Sequence, residues 1–171
     1  MAASDIKAKL RAQLRRQRDE RYTEHTLVHL LNLPEFSKAQ VIASYYSYGS
    51  EPNTHELNQS IIESGRTLLL PRIIGESLEW VKWDGDAAHL AERGKFHEPM
   101  GDALTDLSSI DLVLVPALAI DPDGYRLGQG GGYYDRALPE LRAWKHGVVY
   151  PFERMEHDLP REAWDVAVDS W

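Results

Sequence analysis

A chain of 171 residues, 43% hydrophobic and 27% charged, has the size and make-up of one globular domain with a full core, and two domains would be a squeeze. With no cysteine, disulfides, a thiolate nucleophile and Cys-type zinc sites are excluded. A net charge of -8 at pH 7 repels a nucleic-acid backbone unless a basic patch compensates, so no nucleic-acid partner is expected.

The N-terminus, Met1-Ala-Ala-Ser-Asp-Ile-Lys7, lacks the apolar core of a signal peptide, which argues for a cytoplasmic setting. Residues 4 to about 33 read as helical. Ile6, Leu10 and Leu14, then Leu27, Leu30 and Leu31, recur at helical spacing; Ser4 or Asp5 can cap the start, and Leu33-Pro34 ends the run. A break near Tyr22-Thr23 divides it in two. Seven of the 19 cations fall in the first 21 residues: Lys7, Lys9, Arg11, Arg15, Arg16, Arg18 and Arg21. A charge run is ordinarily a solvated helix face; the alternative is that one or two of these cations fold back onto an anionic ligand. His25 and His29 have a metal-capable spacing but no third ligand near in sequence, and they read as helix surface.

Val41 to Tyr48, rich in β-branched and aromatic residues, predicts a strand, and Gly49-Ser-Glu-Pro52 a loop. Asn53 can cap a helix with Glu56 three residues on, running to about Ser64-Gly65. Arg66 to Pro71 predicts a buried strand and Leu78 to Trp83 an alternating, half-exposed one. Trp80 and Trp83 then fall on opposite faces as packing residues. Residues 84 to 108 read as polar and irregular, with Glu98-Pro99 inside. Ile110 to Pro116 is a continuous apolar run, as buried parallel strands are. The longest apolar stretch, Leu112 to Ile120, is too short to span a bilayer, so no membrane partner is expected. A helix from about Gly132 to Arg142, a short strand Gly147 to Tyr150 and an apolar tail, Trp164 to Trp171, complete the chain. The alternation predicts an α/β fold: a single-domain, three-layer, Rossmann-like arrangement with a largely parallel sheet and an N-terminal helical segment, residues 1–171 forming one unit.

The informative segment runs from the buried strand at Leu112 through Arg126-Leu-Gly-Gln-Gly-Gly-Gly-Tyr-Tyr-Asp135. Ligands bind beyond the carboxyl ends of strands in open parallel sheets. Glycines at 128, 130, 131 and 132 let backbone amides converge on an anion beside a helix start, and Arg126 can add a guanidinium to the same phosphate. The spacing is neither a Walker loop nor a dinucleotide fingerprint. Asp135 either complements the dipole of the following helix or holds Mg²⁺ beside ATP phosphates. Tyr133 and Tyr134 are core aromatics or lie against a ligand ring. Asp121-Pro-Asp-Gly124 reads as a plain β-turn.

With these residues in view, the chain resembles the 5-formyltetrahydrofolate cyclo-ligase family. The resemblance is carried by Leu112-Val-Leu-Val-Pro116 and by Gly124-Tyr-Arg-Leu-Gly-x-Gly-x-Gly-Tyr-Tyr-Asp135. It extends to Lys7-Ala-Lys-Leu-Arg11, Glu51-Pro-Asn-Thr54, Leu70-Pro-Arg72, Glu98-Pro99 and the paired Asp165 and Asp169. Ala117 stands where the family commonly has glycine, and Gln129 where an aromatic or basic residue is frequent. The resemblance implies that Lys7, Ala8, Lys9, Leu10 and Arg11, together with Arg126, Leu127, Gly128, Gln129, Gly130, Gly131, Gly132, Tyr133 and Tyr134, contact ATP. Residues 128–132, Tyr46 and Glu51 would face the reduced folate, and Asp135 and Asp169 would hold Mg²⁺. Lys7, Arg126 and Tyr134 would be the catalytic groups, in a monomer. Two rivals stand beside it: a non-catalytic nucleotide sensor on the same fold, and a sugar-phosphate isomerase or acyl-CoA-type enzyme. The second needs a catalytic carboxylate or lysine in the loop, and Gln129-Gly-Gly-Gly132 offers none.

Overall fold

The structure, a computed structural model, describes residues 3–171, so the first two residues of the expected 1–171 unit lie outside it. Its centre is a five-stranded sheet in the order β3-β2-β1-β6-β9. β1 (Val41–Ala43), β2 (Thr67–Ile74), β6 (Leu112–Pro116) and β9 (Trp144–Val148) run parallel, and β3 (Ser77–Lys82) returns antiparallel along β2 as a hairpin. No described helix is long and apolar enough to cross a membrane.

The pleat sends alternate residues to opposite faces, and each face has its own core. Ile42, Leu68, Leu70, Leu112 and Leu114 pack on one side with Phe36, Leu57 and Ile61, beneath α2 (Pro34–Lys38) and α3 (His55–Glu63). Ala43, Leu69, Trp80, Val113 and Val115 pack on the other with Leu138, Leu141 and Val168, beneath α4 (Tyr133–Ala137) and the tail. This is the expected three-layer α/β architecture with a largely parallel sheet. Trp80 and Trp83 join opposite cores, as their spacing predicts. A third cluster docks Leu14 of the N-terminal helix α1 (Ala3–Arg21) on a small hairpin of β7 (Ala119–Ile120) and β8 (Arg126–Leu127). Its turn is the expected β-turn, with Gly124 N donating to Asp121 O at 3.0 Å. Gly124 is required there: its φ is +84°, and a Cβ would meet Val168 O at 2.6 Å.

Several elements depart from expectation for local reasons. The helical run stops at Arg21; Thr26 Oγ1 then accepts Val28 N and only a 3-10 turn, Val28–Asn32, follows. β1 ends at Ala43 because Thr54 Oγ1 and Asn58 Nδ2 both take the Tyr45 carbonyl, at 2.6 and 3.0 Å, drawing the chain off the sheet. α3 starts at His55 after Thr54, with Asn53 Oδ1 accepting His55 N. The helix expected over 132–142 is five residues long, since Pro139 has no amide to continue it and a 3-10 turn, Leu138–Glu140, takes over. The stretch read as irregular contains a hairpin, β4 (Leu90–Arg93) and β5 (Phe96–Pro99), turning at Gly94 with φ +63°.

Candidate functional site

A cleft of about 540 Å³ opens beyond the carboxyl ends of β1, β2 and β6. That is the expected edge of an open parallel sheet and an ordinary volume for a small-molecule site. Its walls come from α1, from the segment after β1, from the β4–β5 hairpin, from the 126–135 loop and from the 162–165 turn.

The loop is held by three guanidinium groups. Arg11 Nε donates to Gly128 O at 2.9 Å, Arg15 Nη2 to Gln129 O at 2.7 Å, and Arg136 Nη2 to Gly131 O at 2.8 Å. Arg15 Nε also takes the Gln129 side chain at 2.8 Å. With its carbonyls so engaged, the loop leaves the amides of 128–132 without a hydrogen-bond partner among the described residues. Gly130 and Gly132 have φ of +108° and +68°, a backbone that turns successive amides to one side and that other residues rarely adopt. The amides, rather than a helix dipole, make this an anion cradle, because α4 spans five residues only.

Arg126 lies beneath the cradle, 8% exposed. Its Nη1 donates to Val166 O at 2.8 Å and its Nη2 to Asp135 Oδ1 at 3.0 Å, while Nε is buried with no partner. The buried Tyr134 hydroxyl has none either. Burial foremost, and the Glu51 charge next, push the Tyr134 phenol well above its ordinary value, with Arg126 opposing. Tyr134 therefore keeps its proton and can donate it in a hydrogen bond. Two buried donors with no acceptor are a call for a ligand oxygen, since each is costly when unmet.

At the other end stands Glu51, 8% exposed, with Oε2 accepting Tyr48 N at 3.1 Å. Burial lifts its carboxyl to about 7, against the opposing pull of that amide, Arg18 and Lys95. Around it are interlocked rings. Tyr46 stacks on His55 at 4.1 Å and meets Trp83 edge-on at 5.7 Å; Tyr48 meets Phe96 edge-on at 5.3 Å, with Lys95 Nζ 5.1 Å above the Tyr48 ring. Lys95, Phe96 and His97 were not legible as site residues, because the polar stretch hid the hairpin that carries them; Gly94 between two four-residue runs was its signal.

Of the N-terminal residues expected at the site, Lys7 and Arg11, one helical turn apart, line the cleft. Ala8 and Lys9 face outward and Leu10 packs against the β7–β8 cluster. Lys7 Nζ donates to Glu162 Oε2 at 2.9 Å and Asp165 Oδ2 at 2.6 Å. Burial works against its charge, but these carboxylates outweigh it and raise its pKa. Leu127, Gly128, Gln129, Gly130, Gly131, Gly132, Tyr133, Tyr134, Asp135 and Tyr46 all line the cleft as expected.

Asp169 does not. Its Oδ2 accepts Lys145 N at 2.7 Å, at the amino end of β9, because Asp169 and Ser170 pair alongside that strand, away from the cleft. Asp165, its partner in the tail pair, lines the cleft instead. Among the described residues no group of three His, Cys, Asp or Glu is placed to hold a metal ion. Mg²⁺ ordinarily binds through one or two carboxylates plus phosphates and waters, so a single carboxylate beside an anion cradle suits it. Asp135 could serve as such a carboxylate: its side chain is 27% exposed, with Oδ1 accepting from Arg126 Nη2 at 3.0 Å.

The model of the 5-formyltetrahydrofolate cyclo-ligase family matches residues 3–170. The chain is 31% identical to the 5-formyltetrahydrofolate cyclo-ligase of Haemophilus influenzae over 172 residues, covering 94% of this chain and 88% of that one. It is 33% identical to that of Mycolicibacterium smegmatis over 138 residues, 75% of this chain and 71% of that one. Among solved structures, it is similar to the 5,10-methenyltetrahydrofolate synthetase of Aquifex aeolicus, with a TM-score of 0.76 and 31% identity, covering 99% and 88% of the two chains.

Proposed function

Because the chain belongs to the 5-formyltetrahydrofolate cyclo-ligase family, we propose that its cleft converts 5-formyltetrahydrofolate and ATP to 5,10-methenyltetrahydrofolate, ADP and phosphate. The observation that carries this reading is the pair of unmet buried donors, Arg126 Nε and the Tyr134 hydroxyl, set in one cleft with the open amides of 128–132 and the buried Glu51.

A formamide carbon is a poor electrophile and its oxygen a poor leaving group. Transfer of the γ-phosphoryl group to that oxygen cures both. N10 then attacks the formyl carbon, loses its proton, and the C–O bond breaks with phosphate departing. Phosphoryl transfer asks for positioning and for compensation of charge on the phosphoryl oxygens. The loop amides and Arg126 supply that charge, and Tyr134 donates to the oxygen that becomes the leaving group. Lys7, with its carboxylate partners, orders the side of the cleft where the nucleotide enters. Glu51, when ionised, accepts hydrogen bonds from the N–H groups of the pterin, flanked by the Tyr46 ring. Asp135 would hold Mg²⁺ arriving with ATP, and the ion would supply charge neutralisation on the phosphates. No protein nucleophile is needed, in keeping with a chain without cysteine. On this reading the reaction runs in the cytoplasm, in a monomer acting as one unit, with no nucleic-acid or membrane partner.

The test follows the formyl oxygen. With heavy oxygen in the formyl group, direct transfer delivers one labelled atom to inorganic phosphate per turnover. Label found only in water overturns this path. ATP binding with no folate-dependent phosphate release would mark a nucleotide sensor.

A further inference from the structure

Trp164 is 65% exposed, the most exposed large apolar side chain among the described residues, yet it lines the cleft. It projects from a turn fixed at both ends. Asp165 N donates to Glu162 O at 3.1 Å and Glu162 N to Asp165 Oδ2 at 2.8 Å. Lys7 of α1 then bonds both carboxylates. A ring presented from so constrained a turn loses little freedom when something flat is laid on it. Among the described residues, none stacks on it or hydrogen-bonds to its indole.

The cleft's two ends differ in this respect. At the Glu51 end the rings already engage one another, Tyr46 with His55 and Tyr48 with Phe96. Trp164 instead precedes Asp165, whose carboxylate bonds Lys7 of α1, the helix from which Arg11 holds the glycine loop. An anion cradle beside an unpartnered indole suits a ligand with a phosphate chain and a flat aromatic base. We propose that Trp164 is the stacking platform for the purine of the nucleotide, and so a determinant of nucleotide affinity separate from the phosphate cradle. The inference rests on the ATP-dependent reading above. Base–indole stacking depends on a π-face rather than on hydrogen-bond patterning, so the platform tolerates different bases.

The experiment compares ATP with tripolyphosphate, a probe with phosphates and no base, each as its magnesium complex. Trp164→Ala should weaken ATP binding about 10-fold or more, with tripolyphosphate binding and the KM for 5-formyltetrahydrofolate unchanged, and Trp164→Phe should restore most of the loss. Equal loss for both probes overturns the platform and leaves Trp164 a support for the Lys7 turn. Unchanged ATP binding, or a rise confined to the folate KM, overturns it too, as does a wild-type chain that binds tripolyphosphate no less tightly than ATP. A wild-type chain that binds neither overturns the nucleotide reading itself, and the platform with it.

Discussion

Glu51 is a carboxyl whose environment favours the proton: burial raises it to about 7, from an ordinary 4.5. A group with a folded pKa above its unfolded value stabilises the fold fully below the unfolded value. That contribution is lost as pH rises through the folded one. The gap is worth on the order of 3 kcal/mol. Glu51→Gln should therefore melt roughly 5–10 °C above the wild type at pH 8 and close to it at pH 5. An equal difference at both values would show that Glu51 does not titrate in this window. The same substitution should raise the KM for 5-formyltetrahydrofolate more than that for ATP, and the wild-type folate KM should rise as pH falls below about 7. The loop residues were legible because four glycines lie between Arg126 and Tyr133-Tyr134-Asp135, whereas Lys7 and Arg11 stood out from the cation run only through the family resemblance. Asp165 and Asp169 were not separable: in a tail without helical or strand periodicity, four residues of spacing does not say which carboxylate turns toward the cleft.

The helix α1 is fastened by a buried pair. Arg18 Nε and Nη2 donate to Glu153 Oε1 and Oε2, both at 2.6 Å, and Nη2 also takes Ala117 O at 2.6 Å, next to the cleft. Removing one partner leaves the other charge buried and uncompensated. Arg18→Met is expected to lower stability by about 3–5 kcal/mol, and Arg18→Met with Glu153→Leu to recover more than half of it, in urea unfolding. Additive losses in the double variant would mean that the two side chains act independently. A cation run was visible at this helix in the sequence, but which cation turns inward was not, because the residue it meets lies 135 positions away. The sheet strands were legible from their apolar runs. The β4–β5 hairpin, with three of its four β4 residues exposed, carries no such pattern.

For the molecule as a whole, a ligand that binds only the folded state adds RT ln(1+[L]/Kd), about 2.7 kcal/mol at a hundredfold excess. Mg²⁺-ATP at that excess should raise the melting temperature by roughly 5–10 °C, and unchanged melting counts against the nucleotide site. Lys7 reaches Glu162 and Asp165 across 155 and 158 residues. On a ribosome, then, a chain that has already laid down its sheet and its glycine loop still lacks one wall of the cleft until the 162–165 turn has emerged. The cleft is closed on that side only when the chain's two distant stretches meet.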